Sequence, residues 1–268
     1  MASFGSILLV GCGNMAGAML DGWLKGGIPA DRFTVADPSL REPRAGVTVL
    51  PAIPAEGQFD VILLGVKPQI LDVVAPQVAP LAGKDTLVLS ILAGGELDTL
   101  AGYFPDAALV RIMPNLAAAL GKSPIALAER GLDDAGRAAV TEFLAPLGTP
   151  EWFAEEEFDL VTALAGCGPA FVYRFIDALA KASVELGMDA GQANRLALAT
   201  VEGAAALASA SPHDPAELAR RVASPGGATQ AGLDAMDAGG TLNIVLERTL
   251  RAARDRSAEM AQEARNKA

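Results

Sequence analysis

The first part of the chain alternates short apolar runs with helical stretches, a pattern that predicts βαβ units around a parallel sheet. Two runs, Val61–Leu64 and Leu87–Leu89, are apolar at every position. Strands covered on both faces have this pattern, so we expect these two at the centre of the sheet. The predicted strands are Ile7–Val10, Phe33–Ala36, Val47–Leu50, Val61–Val66, Thr86–Ile91, Ala108–Ile112, Ile125–Ala128 and Trp152–Phe153.

After Phe158 the β-branched runs stop, and the pattern becomes that of helices separated by glycine and proline. We therefore predict an α/β fold with two domains: an N-terminal Rossmann-type domain over residues 1–157 and an all-α domain over 158–268. An amphipathic helix is also expected within the first domain, near residues 133–147. The helices predicted in the second are Pro169–Leu186, Ala190–Ala208, Pro215–Val222, Ala228–Ala238 and Thr241–Ala264.

Composition and charge narrow the possible functions. Of the 268 residues 51% are hydrophobic, which excludes a disordered chain because such chains cannot bury enough apolar surface to fold. The formal net charge is −11 and the mean hydropathy is +0.32. A protein with this negative charge repels phosphate backbones and anionic lipids. Nucleic acid and membrane surfaces are therefore poor partners.

The inventory of reactive side chains is small. One histidine and two cysteines leave no ligand set for zinc or another metal site, no Ser-His-Asp triad and no disulfide framework. We therefore expect a cofactor to carry the chemistry. The N-terminus lacks a basic region, and the apolar runs are too short for a signal peptide or a membrane span, so we expect a cytoplasmic protein.

A dinucleotide fingerprint follows the first predicted strand. Gly11 permits a tight turn, Gly13 lets the backbone approach a pyrophosphate, and the small Ala16 lets the following helix pack closely on the strand. The pyrophosphate would then lie at the positive end of that helix. Asp37 ends the second strand, where an acidic residue accepts hydrogen bonds from a ribose hydroxyl.

The choice between NADH and NADPH stays open at this stage. Asp37 favours NAD(H), because its charge repels a 2′-phosphate. Ser39 and Arg41 follow in the same loop, however, and an arginine there can pair with that phosphate.

Two glycine-rich turns precede helices of the second domain. Pro169, in the segment Ala165–Ala170, occupies a position where a missing amide hydrogen costs nothing. The segment Ser224–Thr229 presents backbone amides that form a cradle for a carboxylate. Cys12 and Cys167 occupy tight glycine turns, and we interpret them as spacers.

With these motifs the chain resembles the pyrroline-5-carboxylate reductases. The resemblance covers nearly the whole sequence and implies reduction of 1-pyrroline-5-carboxylate to L-proline, the last step of proline biosynthesis, with NADPH or NADH. It also implies that the helical domain pairs with that of a second copy, giving homodimers or rings of dimers. The motifs that carry it are Gly11–Met15, Val66–Pro68, Met113–Asn115, Gly166–Ala170, Ser224–Thr229 and Gly239–Gly240.

The resemblance also implies roles for individual residues. The substrate carboxylate is held by the turn before a helix, and the Thr229 hydroxyl is placed near the ring nitrogen, as the catalytic contact. The implied substrate residues are Ser224, Gly226, Gly227, Ala228 and Thr229. Together with Asp37 and Ser39, the implied cofactor residues are Gly11, Gly13, Asn14, Met15, Lys67, Pro68, Ala93, Gly94 and Asn115, the last five lining the nicotinamide half.

The chain departs from the family pattern at four positions. Ala165 and Cys167 stand where serines are usual, and Leu116 and Ala117 follow Asn115 where threonine and proline are common. These changes remove hydroxyl groups from the expected site.

Three alternatives remain at this stage. A β-hydroxyacid dehydrogenase would need a lysine followed four residues later by asparagine, whereas Lys181 is followed by Glu185. Another imine reductase is the second. The third is a non-catalytic dinucleotide sensor, which would bind the cofactor without turnover.

Overall fold

The computed structural model describes residues 4–40 and 43–265. Within them, eight strands form one sheet in the order β3-β2-β1-β4-β5-β6-β7-β8. All neighbouring strands are parallel except β6 and β7, which are antiparallel. The strands are β1 (Ile7–Val10), β2 (Phe33–Ala36), β3 (Thr48–Leu50), β4 (Val61–Leu64), β5 (Leu87–Ser90), β6 (Ala108–Met113), β7 (Ser123–Arg130) and β8 (Gly148–Trp152).

All eight predicted strands are present, and β4 and β5 lie at the centre of the sheet as expected. Some predicted boundaries were wrong. β4 ends at Leu64, two residues earlier than predicted, and the next residue, Gly65, lies against the backbone of Gly11. β8 begins at Gly148, earlier than predicted, because residues 148–151 pair in register with residues 123–126 of β7, and it ends at Trp152.

Helices cover both faces of the sheet. Alternate strand residues point to opposite faces, so Ile7 and Leu9 join one buried cluster while Leu8 and Val10 join the other. The first cluster includes residues of α1 and α4, and the second includes residues of α2 and α3. These helices are α1 (Asn14–Lys25), α2 (Leu71–Val78), α3 (Leu97–Tyr103) and α4 (Asp134–Leu144).

The remainder of the chain is helical, as predicted. A π-helical turn, Thr162–Gly166, lies between the first two of these helices. Pro169 falls within the first two positions of α6, as the sequence predicted. The helices are α5 (Phe158–Val161), α6 (Gly168–Glu185), α7 (Ala190–Ala210), α8 (Pro215–Val222), α9 (Ala228–Asp237) and α10 (Thr241–Arg265).

The chain forms two compact units. The sheet unit runs through Gly166 and resumes at Ala252, and the helical unit is Cys167–Arg251. The sheet unit thus includes residues 158–166 and the end of α10, which the sequence analysis assigned to the helical domain. Within the sheet unit, the Ser257 hydroxyl donates to the Asp159 carboxylate at 2.7 Å.

The helical stretch 155–185 is long and apolar enough to cross a membrane by length and composition alone. Only 17% of the most apolar part of this stretch is buried within the chain. No such stretch was predicted, because the apolar runs of the sequence are shorter than the ~18 residues that a membrane span needs.

Candidate functional site

The predicted cofactor residues gather at one edge of the sheet. β2, β1, β4, β5 and β6 are parallel neighbours, so their carboxyl ends share an edge. The order of the strands reverses between β1 and β4, which is where open α/β sheets bind ligands. The predicted residues follow these strands directly: Gly11–Met15 after β1, Asp37 and Ser39 after β2, Lys67 and Pro68 after β4, Ala93 and Gly94 after β5, and Asn115 after β6.

The turn after β1 brings two backbones into close approach. Gly11 has φ +85°, and a Cβ atom there would lie 3.0 Å from the carbonyl oxygen of Gly65. A Cβ atom at Gly65 would lie 2.7 Å from the Gly11 carbonyl oxygen and 2.9 Å from the Cβ atom of Ala16. Both glycines and the small Ala16 are therefore required for this packing. The sequence analysis missed Gly65, although its place directly after a buried strand was a usable signal.

The N-terminus of α1 is open. Gly13 is its N-cap residue, and the helix has neither a side-chain cap nor an acidic residue in its first turn. Apart from Gly13, its two chain neighbours and the adjoining helix backbone, no heavy atom of the described residues lies within 4 Å of a Cβ built at Gly13. The first amides of a helix have no partner within it and carry partial positive charge, so this end fits an anion such as a pyrophosphate.

Asp37 connects the end of β2 to the glycine-rich turn. Its Oδ2 atom accepts from the Cys12 amide at 2.7 Å. Its Oδ1 atom accepts from the Ser39 amide at 2.8 Å and from the Ser39 hydroxyl at 2.7 Å. Burial by itself would raise the pKa of Asp37, but these hydrogen bonds to the charged form outweigh it and lower the pKa. Asp37 is therefore a carboxylate that holds the turn in place.

Other residues near this turn have separate roles. Burial raises the pKa of the Cys12 thiol, which agrees with a spacer and disfavours a reactive thiolate. Ser39 is exposed and donates to Asp37. Arg41, the candidate partner for a 2′-phosphate, lies outside the described residues.

The loops after β4 and β5 border a cavity of about 490 Å³ within the sheet unit. Pro68, Ala93 and Gly94 line it on one side, and Arg256 and Met260 of α10 line it on another. Gly94 has φ +73°, and a Cβ atom there would lie 3.3 Å from the Cα atom of Ala261. The end of α10 thus packs directly on this loop. Lys67, beside it, is exposed.

Asn115 is 7% exposed, and its amide group is engaged within the protein. Its Oδ1 atom accepts from the Ala117 amide at 2.9 Å, and its Nδ2 atom donates to the Ala165 carbonyl at 3.0 Å. Its backbone amide donates to the Ser123 hydroxyl at 2.9 Å. Asn115 therefore ties the end of β6 to the π-helical turn that precedes α6.

The predicted substrate residues lie together at the start of α9. Gly227 is the N-cap, and α9 also begins with neither a side-chain cap nor an acidic residue in its first turn. Gly226 has φ +69°, and the Gly227 amide donates to the Ser224 carbonyl at 2.9 Å, which closes the turn. Thr229 is exposed near the start of the helix. This end of α9 fits a carboxylate for the same reason that the end of α1 fits a pyrophosphate.

Comparison with protein families gives two matches. Residues 155–260 match the family described as pyrroline-5-carboxylate reductase dimerisation. Residues 6–94 match the family described as NADP oxidoreductase, coenzyme F420-dependent.

Individual proteins resemble the chain over almost its full length. A pyrroline-5-carboxylate reductase from Pseudomonas aeruginosa is 34% identical, over 96% of this chain and 97% of that one. The structure of a pyrroline-5-carboxylate reductase from Coxiella burnetii has a TM-score of 0.88 at 25% identity, over 96% of this chain and 98% of that one. The enzyme from Plasmodium falciparum with NADP bound has the same fold, with a TM-score of 0.80 at 23% identity, over 97% of this chain and 99% of that one.

Proposed function

This chain belongs to the pyrroline-5-carboxylate reductase family, and from that premise we propose how its residues divide the work. The protein is an NAD(P)H-dependent oxidoreductase that reduces 1-pyrroline-5-carboxylate to L-proline, the last step of proline biosynthesis. We assign the cofactor and substrate sites from one observation. Both α1 and α9 begin after a glycine, and each lacks a side-chain cap and an acidic residue in its first turn. One open helix end suits the cofactor's phosphates and the other suits the substrate's carboxylate.

The sheet unit binds NADP(H) or NAD(H), which supplies the hydride. The close approach of Gly11 and Gly65 and the open end of α1 fit the pyrophosphate, with Gly13, Asn14 and Met15 at that helix end. Asp37 holds the turn through the Cys12 amide. The nicotinamide half is assigned to the loops after the next strands: Lys67, Pro68, Ala93, Gly94 and Asn115.

The helical unit binds the substrate in this proposal. Ser224, Gly226, Gly227 and Ala228 form the turn and first amides that hold the carboxylate. The Thr229 hydroxyl hydrogen-bonds near the ring nitrogen and orients the imine carbon for hydride transfer. Thr229 is therefore the proposed catalytic residue.

The small inventory of acids and bases suits this reaction. Reduction of a ketone builds negative charge on oxygen, whereas hydride addition to an iminium neutralises a positive charge. The protein must therefore orient the substrate, anchor its carboxylate and exclude water, and it needs no strong acid for the hydride step. His213, the one histidine of the sequence, lies in the polar connection between α7 and α8, and the proposal gives it no role.

The family match also indicates that the protein forms oligomers. The helical unit falls within the dimerisation family. We propose homodimers, gathered into larger rings, in the cytoplasm, without nucleic acid or membrane partners. In an oligomer of this kind, the exposed apolar side chains of α6 meet a second copy rather than lipid.

The decisive experiment is a spectrophotometric assay of NADPH and NADH oxidation with 1-pyrroline-5-carboxylate. We expect turnover with at least one of the two, and the ratio of kcat/KM values gives the cofactor preference. Cofactor binding by calorimetry without turnover would favour the dinucleotide sensor instead. The β-hydroxyacid dehydrogenase has no supporting feature: Lys181 forms an ion pair with Asp177 at 2.9 Å and is followed by Glu185.

A further inference from the structure

A residue that is distant in the sequence caps α3, the helix that follows the loop assigned to the nicotinamide half. Glu155 accepts, through Oε1, a hydrogen bond from the Leu97 amide at 2.8 Å. Leu97 is the first residue of α3, and the N-cap residue Glu96 does not cap the helix with its own side chain. The N-terminus of α3 is therefore fixed by a carboxylate 58 positions further along the chain.

The same carboxylate oxygen is held by a buried arginine. Arg111 Nη1 lies 3.3 Å from Glu155 Oε1, and its guanidinium lies 4.5 Å from the centre of the Phe158 ring. Arg111 lies on β6, is 4% exposed, and has a buried Nε atom without a hydrogen-bond partner among the described residues. Arg111, Phe158 and Glu155 thus form a chain of contacts from the sheet to the start of α3.

Packing alone does not account for this arginine. Burying a charge costs hydration, and a buried ion pair with an unsatisfied donor is often no more stabilising than apolar residues of similar size. The arrangement does fix the position of one backbone amide. That amide lies four residues after Ala93 and three after Gly94.

The loop between β5 and α3 is held at its start, in its middle and at its end. At its start, the Leu92 amide donates to the buried Ser90 hydroxyl at 3.3 Å. In its middle, Gly94 packs on the backbone of Ala261. At its end, Glu155 holds Leu97. A reacting group is oriented precisely only when the residues around it are held in place by contacts such as these.

We propose that Arg111 and Glu155 are positioning residues for hydride transfer, which they serve by fixing the loop Ala93–Glu96 through the Leu97 amide. The proposal rests on the assignment of Ala93 and Gly94 to the nicotinamide half. Neither residue touches the reacting atoms. Displacing the loop by about 1 Å is enough to cost roughly 100-fold in rate, so loss of the contact should be visible in kcat.

The first test removes the contact in steps. Glu155→Ala should lower kcat about tenfold while the KM for pyrroline-5-carboxylate changes less than about threefold. Glu155→Gln, which keeps an acceptor for the Leu97 amide, should recover most of the loss. The matched control is Arg130→Met, which breaks the exposed ion pair between Arg130 of β7 and Asp98 in the first turn of α3 without removing the acceptor of the Leu97 amide, and should leave kcat within about twofold.

The second test separates positioning from stability. The double variant Arg111→Met with Glu155→Met replaces the pair by apolar side chains, so its melting temperature should stay within about 4 °C of wild type. Its kcat should still fall about tenfold. Wild-type kcat in this variant, or equal loss in Glu155→Gln and Glu155→Ala, would overturn the proposal. Absence of turnover in the wild-type protein would instead contradict the proposed function.

Discussion

The two compact units of this protein differ in how much of their apolar surface is buried within the chain. In the sheet unit, two large clusters of buried side chains lie on the two faces of the sheet, with Trp23 and Phe104 among their completely buried members. In the helical unit, all of whose residues the structure describes, the buried apolar residues are three alanines, Ala180, Ala193 and Ala197. The sheet unit has an interior of its own, whereas the helical unit has little.

The apolar residues of the helical unit are exposed instead. Burying a leucine or valine side chain contributes about 1.5–3 kcal/mol, so leaving many exposed forfeits a large part of the available stabilisation. Large exposed apolar surfaces mark interfaces. Examples in the helical unit, each at least 43% exposed, are Val172, Tyr173, Phe175, Leu186, Leu196, Leu198, Leu207, Val222, Ile244, Val245 and Leu246. The comparison teaches that only one of the two units is complete within a single chain.

The largest expected effect comes from placing a charge on that exposed surface. Leu207 on α7 is 71% exposed in the single chain, and Leu207→Asp should weaken association of the subunits about 100-fold or more, because an unpaired carboxylate would be buried at the interface. Sedimentation velocity measures the change.

The matched control lies on the sheet unit. Val73 on α2 is 67% exposed, and Val73→Asp should leave the sedimentation coefficient unchanged because the sheet unit needs no cover there. An unchanged oligomer with Leu207→Asp would contradict the idea that the helical unit is completed by another copy.

A second substitution should affect the sheet unit alone. Gly13→Asp puts a carboxylate at the open end of α1, where it would repel the pyrophosphate, and should weaken NADPH binding about 100-fold or more by calorimetry. Space is available for the side chain, and aspartate is a favourable N-cap residue, so the melting temperature should not fall. An unchanged affinity of Gly13→Asp for NADPH would contradict the interpretation of this turn as a dinucleotide fingerprint.

The third prediction concerns the helical unit and should leave cofactor binding intact. Thr229→Ala should lower kcat about 10- to 100-fold, the loss expected for one charge-assisted hydrogen bond of ~1.5–3 kcal/mol. Thr229→Val keeps the shape, removes the hydroxyl and should behave alike. Full turnover in both variants with a lowered melting temperature would show that Thr229 only supports the helix.

The smallest effect is expected at Asp37. Asp37→Ser removes a negative charge beside the expected 2′-phosphate position and should raise kcat/KM for NADPH relative to NADH several-fold. The structure adds a complication, because the same carboxylate holds the Cys12 amide. Asp31→Ser is the control: it removes an exposed charge at the opposite end of β2, so the preference should not move. Equal ratios in wild type and Asp37→Ser would show that Asp37 acts on the turn alone.

Much of this arrangement follows from local sequence signals. Periodicity is a property of neighbouring residues, so most strands and the helices of the second domain were predicted to within a few residues, and Pro215–Val222 matched at both ends. No bounds were predicted for the short helices α2, α3 and α5. The turn at Gly11 was equally readable, because a positive φ and a close backbone approach exclude side chains there. The order of motifs along the chain also placed the predicted cofactor residues after parallel strands, whose carboxyl ends meet at one edge.

Contacts between distant segments were decided by the tertiary structure. The antiparallel pairing of β6 with β7, the packing of Gly65 on Gly11, and the capping of Leu97 by Glu155 leave no periodic trace in the sequence. The same holds for Asn115, whose amide is used internally, and for the end of α10, which packs on Gly94. The physical reason is that a hydrogen bond or a van der Waals contact depends on distance in space, while a sequence pattern records only the neighbours along the chain.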